Sequence, residues 1–204
     1  SHAEGFGTIA SNYCSHAEGA YSTASGYYSH AEGYRTTSIG YNSHAEGWKS
    51  TAIGANSHAE GYDTIASGIT SHAEGSSTTA IGSISHAEGV VTIASGVGSH
   101  AEGKQTIASG NGSHAEGRNT TSSGDYSHAE GIGTIAAGFG SHAGGRTVNL
   151  SGINKIVASG DTTFVHFRQT TSSGNIGAYG DYSVIIGGND HNIGTGSTSS
   201  GIFA

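Results

Sequence analysis

The sequence lacks proline and methionine, and it contains one cysteine and few charged residues. The single Cys14 excludes an internal disulfide framework. Charged residues make up 11% of the chain, which is not the charge-rich profile of a disordered tail. No window approaches the ~20 apolar residues of a membrane span, so we predict no membrane insertion in this segment. Because the chain begins on the first residue of a repeat, we expect it to be a piece of a longer protein.

Basic residues are also scarce: 7 Lys and Arg stand against 15 Asp and Glu, for a net charge of −8. Nothing in the sequence forms a basic stripe that would neutralise phosphates, so we predict no nucleic-acid partner. Glycine, in contrast, is abundant, with 36 residues. A core of such small residues buries little apolar surface at roughly 25 cal/mol per Å². We therefore expect self-association or a very regular hydrogen-bond ladder.

A 14-residue repeat occupies most of the chain. The segment Ser-His-Ala-Glu-Gly recurs with this constant period from Ser1 to Ser127, and Ser-His-Ala-Gly-Gly follows at Ser141. Each half of the unit is a five-residue segment that ends in glycine and is followed by two variable positions. Two glycines per repeat would cost a helix about 2 kcal/mol, and collagen would require glycine at every third position. The pattern predicts an all-β fold over residues 1–154: a parallel β-solenoid of eleven 14-residue coils.

Alternation along each half sorts the side chains by face. Positions 1, 3, 5, 8, 10 and 12 carry small residues and are predicted to point into a thin roll. Asn12 replaces the second glycine once, and because Asn tolerates positive φ best after Gly, we expect a turn there. One outward face carries His and Glu. The other carries Thr, Ser and, in most coils, one Ile, so we expect it to contact other copies of the chain, with a monomeric solenoid as the alternative.

The repeated unit Ser-x-Ala-x-Gly-x-x-Ser/Thr-x-Ala-x-Gly, with its 14-residue period, resembles the head repeats of YadA-like trimeric autotransporter adhesins, the Hep/Hag type. Similar SHAEG arrays are found in phage tail-fibre and virion proteins. The resemblance covers residues 1–154. It implies a left-handed β-roll, a homotrimer about one axis, and an extracellular location at a cell or virion surface. It also implies a fibre or adhesin segment that attaches to a host-surface glycan or protein.

The His and Glu columns should each stack about 4.8 Å apart. Unpaired Glu charges at that spacing would repel by roughly 3 kcal/mol per neighbour at an effective dielectric near 20. We therefore predict a structural His–Glu ladder rather than a metal array, assign no metal site and no cofactor, and expect mild acid to be tolerated. The predicted ladder residues are His2, Glu4, His16, Glu18, His30, Glu32, His44, Glu46, His58, Glu60, His72, Glu74, His86, Glu88, His100, Glu102, His114, Glu116, His128 and Glu130.

The repeated Ser-His-Ala-Glu segments do not predict catalysis. Adjacent Ser and His side chains in a strand point to opposite faces, which excludes a hydrogen-bonded triad. We assign no catalytic residue and predict that the chain is not an enzyme.

Aromatic residues of the repeat region fall only at the variable corner positions. Tyr34, Trp48 and Tyr62 hold the same position in consecutive coils, with Arg35 and Lys49 beside them. These five residues are predicted to form either a surface-binding ridge or a self-stabilising ladder. A passive architectural spacer is the alternative function, and metal-binding or ice-binding solenoids are weaker ones, the last because Thr recurs at position 8.

The period breaks after Asn154, and the segment Phe164–Phe167 is bulkier than any earlier strand. We interpret 155–204 as divergent, wider solenoid coils that continue the fibre. A small separate domain is the alternative.

Overall fold

A computed structural model describes residues 1–147, 155–168, 175–189 and 201–203. The chain divides into two compact units, residues 1–98 and 99–204. All of the regular structure among the described residues is β, and none of them forms a helix long and apolar enough to span a membrane.

The first unit contains seven 14-residue coils, and each coil contributes one strand to each of two parallel sheets. The odd-numbered strands carry the His-Ala segments and the even-numbered strands carry the Thr/Ile-Ala/Ser segments. The strands are β1 (His2–Ala3), β2 (Ile9–Ala10), β3 (His16–Ala17), β4 (Thr23–Ala24), β5 (His30–Tyr34), β6 (Thr37–Ser38), β7 (His44–Trp48), β8 (Thr51–Ala52), β9 (His58–Tyr62), β10 (Ile65–Ala66), β11 (His72–Ser76), β12 (Thr79–Ala80), β13 (His86–Val90) and β14 (Ile93–Ala94).

Each residue in these strands pairs with the equivalent residue of the next coil. His44 pairs with His58, and Ile65 with Thr79, so the parallel register advances by one 14-residue repeat per coil. Backbone amides such as that of His44 donate to the following coil at 3.0 Å. This register confirms the predicted parallel β-solenoid.

The second unit continues with three 14-residue coils and then widens. Its strands are β15 (His100–Lys104), β16 (Ile107–Ala108), β17 (His114–Ala115), β18 (Thr121–Ser122), β19 (His128–Ala129), β20 (Thr134–Ala136), β21 (His142–Arg146), β22 (Ile156–Ala158), β23 (Phe164–Arg168), β24 (Ile176–Ala178), β25 (Val184–Asn189) and β26 (Gly201–Phe203). His142 pairs with Phe164 in a 22-residue register, and Phe164 pairs with Val184 in a 20-residue register. The prediction of eleven 14-residue coils was therefore wrong for the last one, because the coil that begins at Ser141 is longer. The predicted boundary at residues 154 and 155 stays a prediction, since 148–154 lie outside the described residues.

The interior of the regular coils is made of small side chains. The Ala columns at positions 3 and 10, such as Ala59 and Ala66, are fully buried. The Thr column at position 8, which includes Thr64 and Thr78, is also fully buried. This confirms the predicted inward direction of these positions. It also removes the exposed Thr surface on which an ice-binding function would depend.

The two glycine columns differ from the prediction. Gly61 at position 5 is exposed rather than inward, has φ +110°, and a Cβ there would collide with the carbonyl oxygen of Gly75. Gly68 at position 12 is buried without positive φ, and close stacking on the next coil excludes a side chain. A turn is present at Asn12, as expected, with the Ser15 amide donating to the Asn12 carbonyl at 3.1 Å. Asn12 itself has no positive φ, and its side-chain amide donates to the Ser25 carbonyl.

Left-handed residues lie instead at the variable corner positions 7 and 14. Val91 has φ 58° at position 7, and Ile84 has φ 59° at position 14. A corner amide bonds to the preceding coil in each case, as Val91 N–H does to the Ser76 carbonyl at 2.9 Å. These bonds fix the corner conformation whatever side chain stands there, and they turn the corner side chains outward.

Candidate functional site

Five aromatic side chains form a continuous row along one corner of the first unit, here called the aromatic row: Phe6, Tyr21, Tyr34, Trp48 and Tyr62. Successive ring centroids are 5.2, 5.9, 6.1 and 4.4 Å apart. The first two contacts are edge-to-face and the last two are stacked. Parallel pairing of position 6 from coil to coil brings Tyr34, Trp48 and Tyr62 together. In the second coil position 6 is Ala20, and Tyr21 at position 7 places its ring between those of Phe6 and Tyr34.

Two cations lie against the faces of this row. The Arg35 guanidinium carbon is 5.3 Å from the Tyr34 ring centroid and 5.8 Å from that of Tyr21. The Lys49 Nζ atom lies 4.3 Å from the Trp48 centroid. All three distances are within the range of cation–π contacts. The row therefore combines apolar ring surface with positive charge on a chain of net charge −8.

The row is accessible in the single chain. Phe6 is 68% exposed and Tyr62 is 50% exposed. The structure brings together all five corner residues predicted from the sequence, and it adds Phe6 and Tyr21. Tyr21 was missed because it stands at position 7, whereas Tyr34, Trp48 and Tyr62 share position 6. Considering aromatic residues at positions 6 and 7 together would have found it.

The opposite corner carries a shorter set of rings. Tyr13 and Tyr28 are 5.7 Å apart, and Tyr28 and Tyr41 are 5.5 Å apart, all in edge-to-face contacts. No cation–π contact is found at these three rings among the described residues. This corner, here called the tyrosine corner, thus differs from the aromatic row in lacking cation–π contacts among the described residues.

On the His–Glu face of the first unit, the imidazole rings form a stack. From His16 to His86, successive centroids are 4.7–4.9 Å apart and the rings are parallel within 4°. Each Glu lies near the His of the following coil, as Glu46 Oε1 lies 3.1 Å from His58 Nε2. In the first coil Glu4 instead lies 3.8 Å from His2 of its own coil, and Glu74 and Glu88 also approach the histidines of their own coils, at 4.0 and 3.9 Å.

The other regular Glu and His residues show the same spacing between coils. The contacts within the first unit are Glu18–His30 at 3.7 Å, Glu32–His44 at 3.3 Å, Glu60–His72 at 3.4 Å and Glu74–His86 at 3.9 Å. Those within the second unit are Glu102–His114 at 3.4 Å, Glu116–His128 at 3.3 Å and Glu130–His142 at 3.3 Å. The predicted residues are thus close together, and their role in stability stays a prediction.

Protonation is disfavoured at one histidine of the stack in each unit, His44 in the first and His114 in the second. Burial, and then the neighbouring imidazoles of His30 and His58, lower the pKa of His44 below its usual range, against the raising effect of Glu46. Burial likewise lowers the pKa of His114, followed by its neighbouring histidines. Burial and the neighbouring imidazoles thus favour the neutral form of His44 and His114.

The face of the even-numbered strands exposes isoleucine. Ile39, Ile53 and Ile81 in the first unit are 48%, 44% and 50% exposed. Each of these isoleucines lies on the same face as the Thr two residues before it, so the apolar strip is narrow. An exposed apolar strip of this kind is typical of an association surface.

The fold and its faces define a repeat protein of the parallel β-solenoid type. Consistent with this, the family model described as the YadA head domain repeat (2 copies) matches residues 31–57, 45–71, 59–85, 87–113 and 115–143. These matches cover more than half of the 204 residues, and the chain belongs to this family. Its members are surface-exposed, adhesin-type repeats. No curated protein matches the chain.

Proposed function

We propose that this chain is a segment of a homotrimeric fibre that projects from a cell or virion surface and attaches to a host-surface glycan or protein. The attachment surface is the aromatic row with Arg35 and Lys49. The observation that carries the proposal is the coincidence of stacked, exposed rings and two cations at one corner. The left-handed β-roll implied by the family resemblance is part of the same proposal.

The trimer is supported by the isoleucine face. A single chain leaves Ile53 and Ile81 about half exposed, and the fully buried interior consists mainly of Ala, Ser and Thr. Burying such isoleucines against two other copies would add apolar surface that one chain lacks, at roughly 25 cal/mol per Å². Symmetric association also presents three copies of the aromatic row, which would raise the avidity of a weak contact.

Sugar rings suit the aromatic row because their C–H faces pack on flat aromatic rings. The stacked pair Trp48 and Tyr62, 4.4 Å apart, offers a broad ring edge and face. Arg35 and Lys49 would add hydrogen bonds to hydroxyl or carboxylate groups. A host protein with exposed acidic and aromatic side chains would use the same contacts.

Replacing Trp48 and Tyr62 together with Ser tests the proposal. The matched control replaces Tyr28 and Tyr41 with Ser at the tyrosine corner. Binding to immobilised host glycans and to intact host surfaces is measured for both full-length variants. We expect the first variant to lose at least about tenfold in binding, because hot spots rest on buried aromatic side chains, and the control to retain it. Unchanged binding by the first variant would refute attachment through the row.

A passive spacer is the second candidate, and one observation favours it: the aromatic rings already contact one another. In that case the row stabilises the corner without a ligand. The same two variants discriminate, because a spacer predicts a lower melting temperature for Trp48→Ser with Tyr62→Ser, and no surface binding even for the parent chain.

A further inference from the structure

Where the regular repeat ends, three side chains from successive coils of the second unit converge: Glu130, His142 and His166, here called the terminal cluster. Glu130 Oε1 lies 3.3 Å from His142 Nε2 and 3.5 Å from His166 Nδ1. All three ligand atoms lie within 4.8 Å of one another. One carboxylate oxygen therefore faces two imidazole nitrogens.

A departure from the repeat makes room for this arrangement. Gly144 stands where the earlier coils have Glu, and it pairs in register with His166. A Cβ at Gly144 would collide with His166 Nδ1 and would lie 2.9 Å from Glu130 Oε1. The missing side chain thus creates the space in which His166 reaches Glu130.

The imidazole stack is also interrupted here. His114 and His128 are parallel within 1°, whereas the His142 ring is turned by 74° from that of His128. His142 packs instead on Phe164, with centroids 4.7 Å apart. Its Nε2 atom is buried, like those of most rings in the regular column, and lies 3.3 Å from Glu130 Oε1 without hydrogen-bond geometry. A buried nitrogen that points at a carboxylate without a hydrogen bond is a candidate ligand.

The distances suit one metal ion. Tetrahedral zinc with ligand bonds of 2.0–2.1 Å places neighbouring ligand atoms about 3.3 Å apart, close to the observed 3.3 and 3.5 Å. The regular column also brings Glu and His ligand atoms within 4.8 Å of one another, as at His44, Glu46 and His58. There, however, the two rings are parallel with centroids 4.8 Å apart, which is wider than the spacing of about 3.3 Å between ligand atoms around one zinc ion. We propose that the terminal cluster binds one divalent transition-metal ion of the zinc class, with Glu130, His142 and His166 as ligands.

The ion would join three consecutive coils. Glu130 follows β19, His142 is in β21 and His166 is in β23, so a bound ion would connect the last 14-residue coil to the two longer coils that follow it. His166 is exposed, which leaves a remaining coordination position open to water. Metal binding to such a preformed set stabilises the folded state. This inference does not depend on the proposed attachment function.

Zinc titration of the full chain by calorimetry tests the inference, with Co²⁺ absorption in the visible as an independent report on tetrahedral coordination. His166→Ala removes a ligand, and Gly144→Ala fills the space without changing any ligand. His44→Ala in the regular column is the matched control. We expect one site per chain, weakened at least about tenfold by the first two variants and unchanged by the control.

The melting temperature provides a second readout. Zinc is expected to raise it for the parent chain and for His44→Ala, and to leave it unchanged for His166→Ala. Absence of binding to the parent chain would overturn the proposal. Binding that His166→Ala leaves intact, or that His44→Ala weakens equally, would assign the metal to the regular column and would overturn it too.

Discussion

The 14-residue coils and the widened coils after His142 stack in the same way but enclose different interiors. In the regular coils, the inward column at position 3 is alanine throughout, as at Ala115 and Ala129, and it is still alanine at Ala143 in the longer coil that begins at Ser141. In the widened coils the same column continues as Val165 and Ile185, both fully buried. Coil length therefore sets the side-chain volume that the solenoid can enclose.

One corner is retained across this change. Thr162 and Tyr182 in the widened coils have φ of 53° and 54°, as residues at position 14 have in the regular coils. The Thr163 hydroxyl donates to the Gly160 carbonyl at 2.9 Å, as that of Ser71 does to Gly68 at 2.7 Å. The longer coils therefore keep the conformation of this corner, and their additional residues do not change it.

Substitutions that change the side-chain volume in the two interiors should have the largest effects on the free energy of unfolding. Ile185→Ala is expected to cost about 2–5 kcal/mol of unfolding free energy because it leaves a cavity. Ala73→Ile is expected to cost about 1–3 kcal/mol because the thin interior has no space for it. Urea denaturation of both variants measures these values. Tolerance of Ala73→Ile would show that the regular interior is not filled, which would contradict the comparison.

The glycine column of the regular coils should give the next largest effect. Gly61→Ala combines a left-handed backbone with a collision with Gly75, whereas Gly140 has φ +58° and open space around it. We expect Gly61→Ala to cost more than about 2 kcal/mol, and Gly140→Ala only the conformational part, about 1 kcal/mol. Equal losses in urea denaturation would show that coil stacking does not require glycine. In the coil after that of Gly145, Phe167 takes this register position, so the column of glycines ends there.

Relief of backbone strain at a corner should give a smaller, opposite effect. Val91 is a β-branched residue with φ 58°, and it is exposed. Val91→Asn is expected to raise the unfolding free energy by about 1 kcal/mol because Asn tolerates this conformation. Val90→Asn, one residue earlier and without positive φ, is the matched control and should be neutral or destabilising. The same outcome for both substitutions would exclude strain as the cause.

Acid should weaken the regular coils gradually. The folded-state pKa of His44 is lowered by burial and by His30 and His58, against Glu46 and Glu32. The unfolded chain therefore binds this proton at a higher pH than the folded chain does. The stability that results is fully present above about pH 6.5 and is lost as the pH falls from there through the lower folded-state pKa. We expect the melting temperature to fall between about pH 7 and pH 5, and to fall less for His44→Gln. A flat profile would contradict this direction. The result also tests the tolerance of mild acid expected from the sequence.

Much of the regular fold could be predicted because its determinants are periodic. The 14-residue recurrence fixed the register, and alternation placed Ala and Thr inside, as at Ala59 and Thr64. The left-handed corners could not be predicted, because side chains as different as Val91 and Ile84 occupy them. There the conformation is set by backbone bonds to the preceding coil rather than by residue type.

The sites divide in the same way. Columns such as Tyr34, Trp48 and Tyr62 follow directly from the repeat, and the structure places them in contact. The terminal cluster does not follow from it, because His166 reaches Glu130 only through the 22-residue register between β21 and β23. The sequence shows Gly144 in place of the repeated Glu. It does not show which side chain occupies the space left at Gly144, because that side chain, His166, lies outside the 14-residue repeat.

The measurement that tests the central claim most directly is the molar mass of the chain in solution by light scattering on an eluting peak. Association through the isoleucine face predicts three times the 20.3 kDa of one chain. Ile53→Lys with Ile81→Lys should then reduce the mass to that of one chain, because it places charges in the contact. A mass of 20.3 kDa for the parent chain would contradict the trimeric fibre and would leave the isoleucine face exposed as a surface for some other partner.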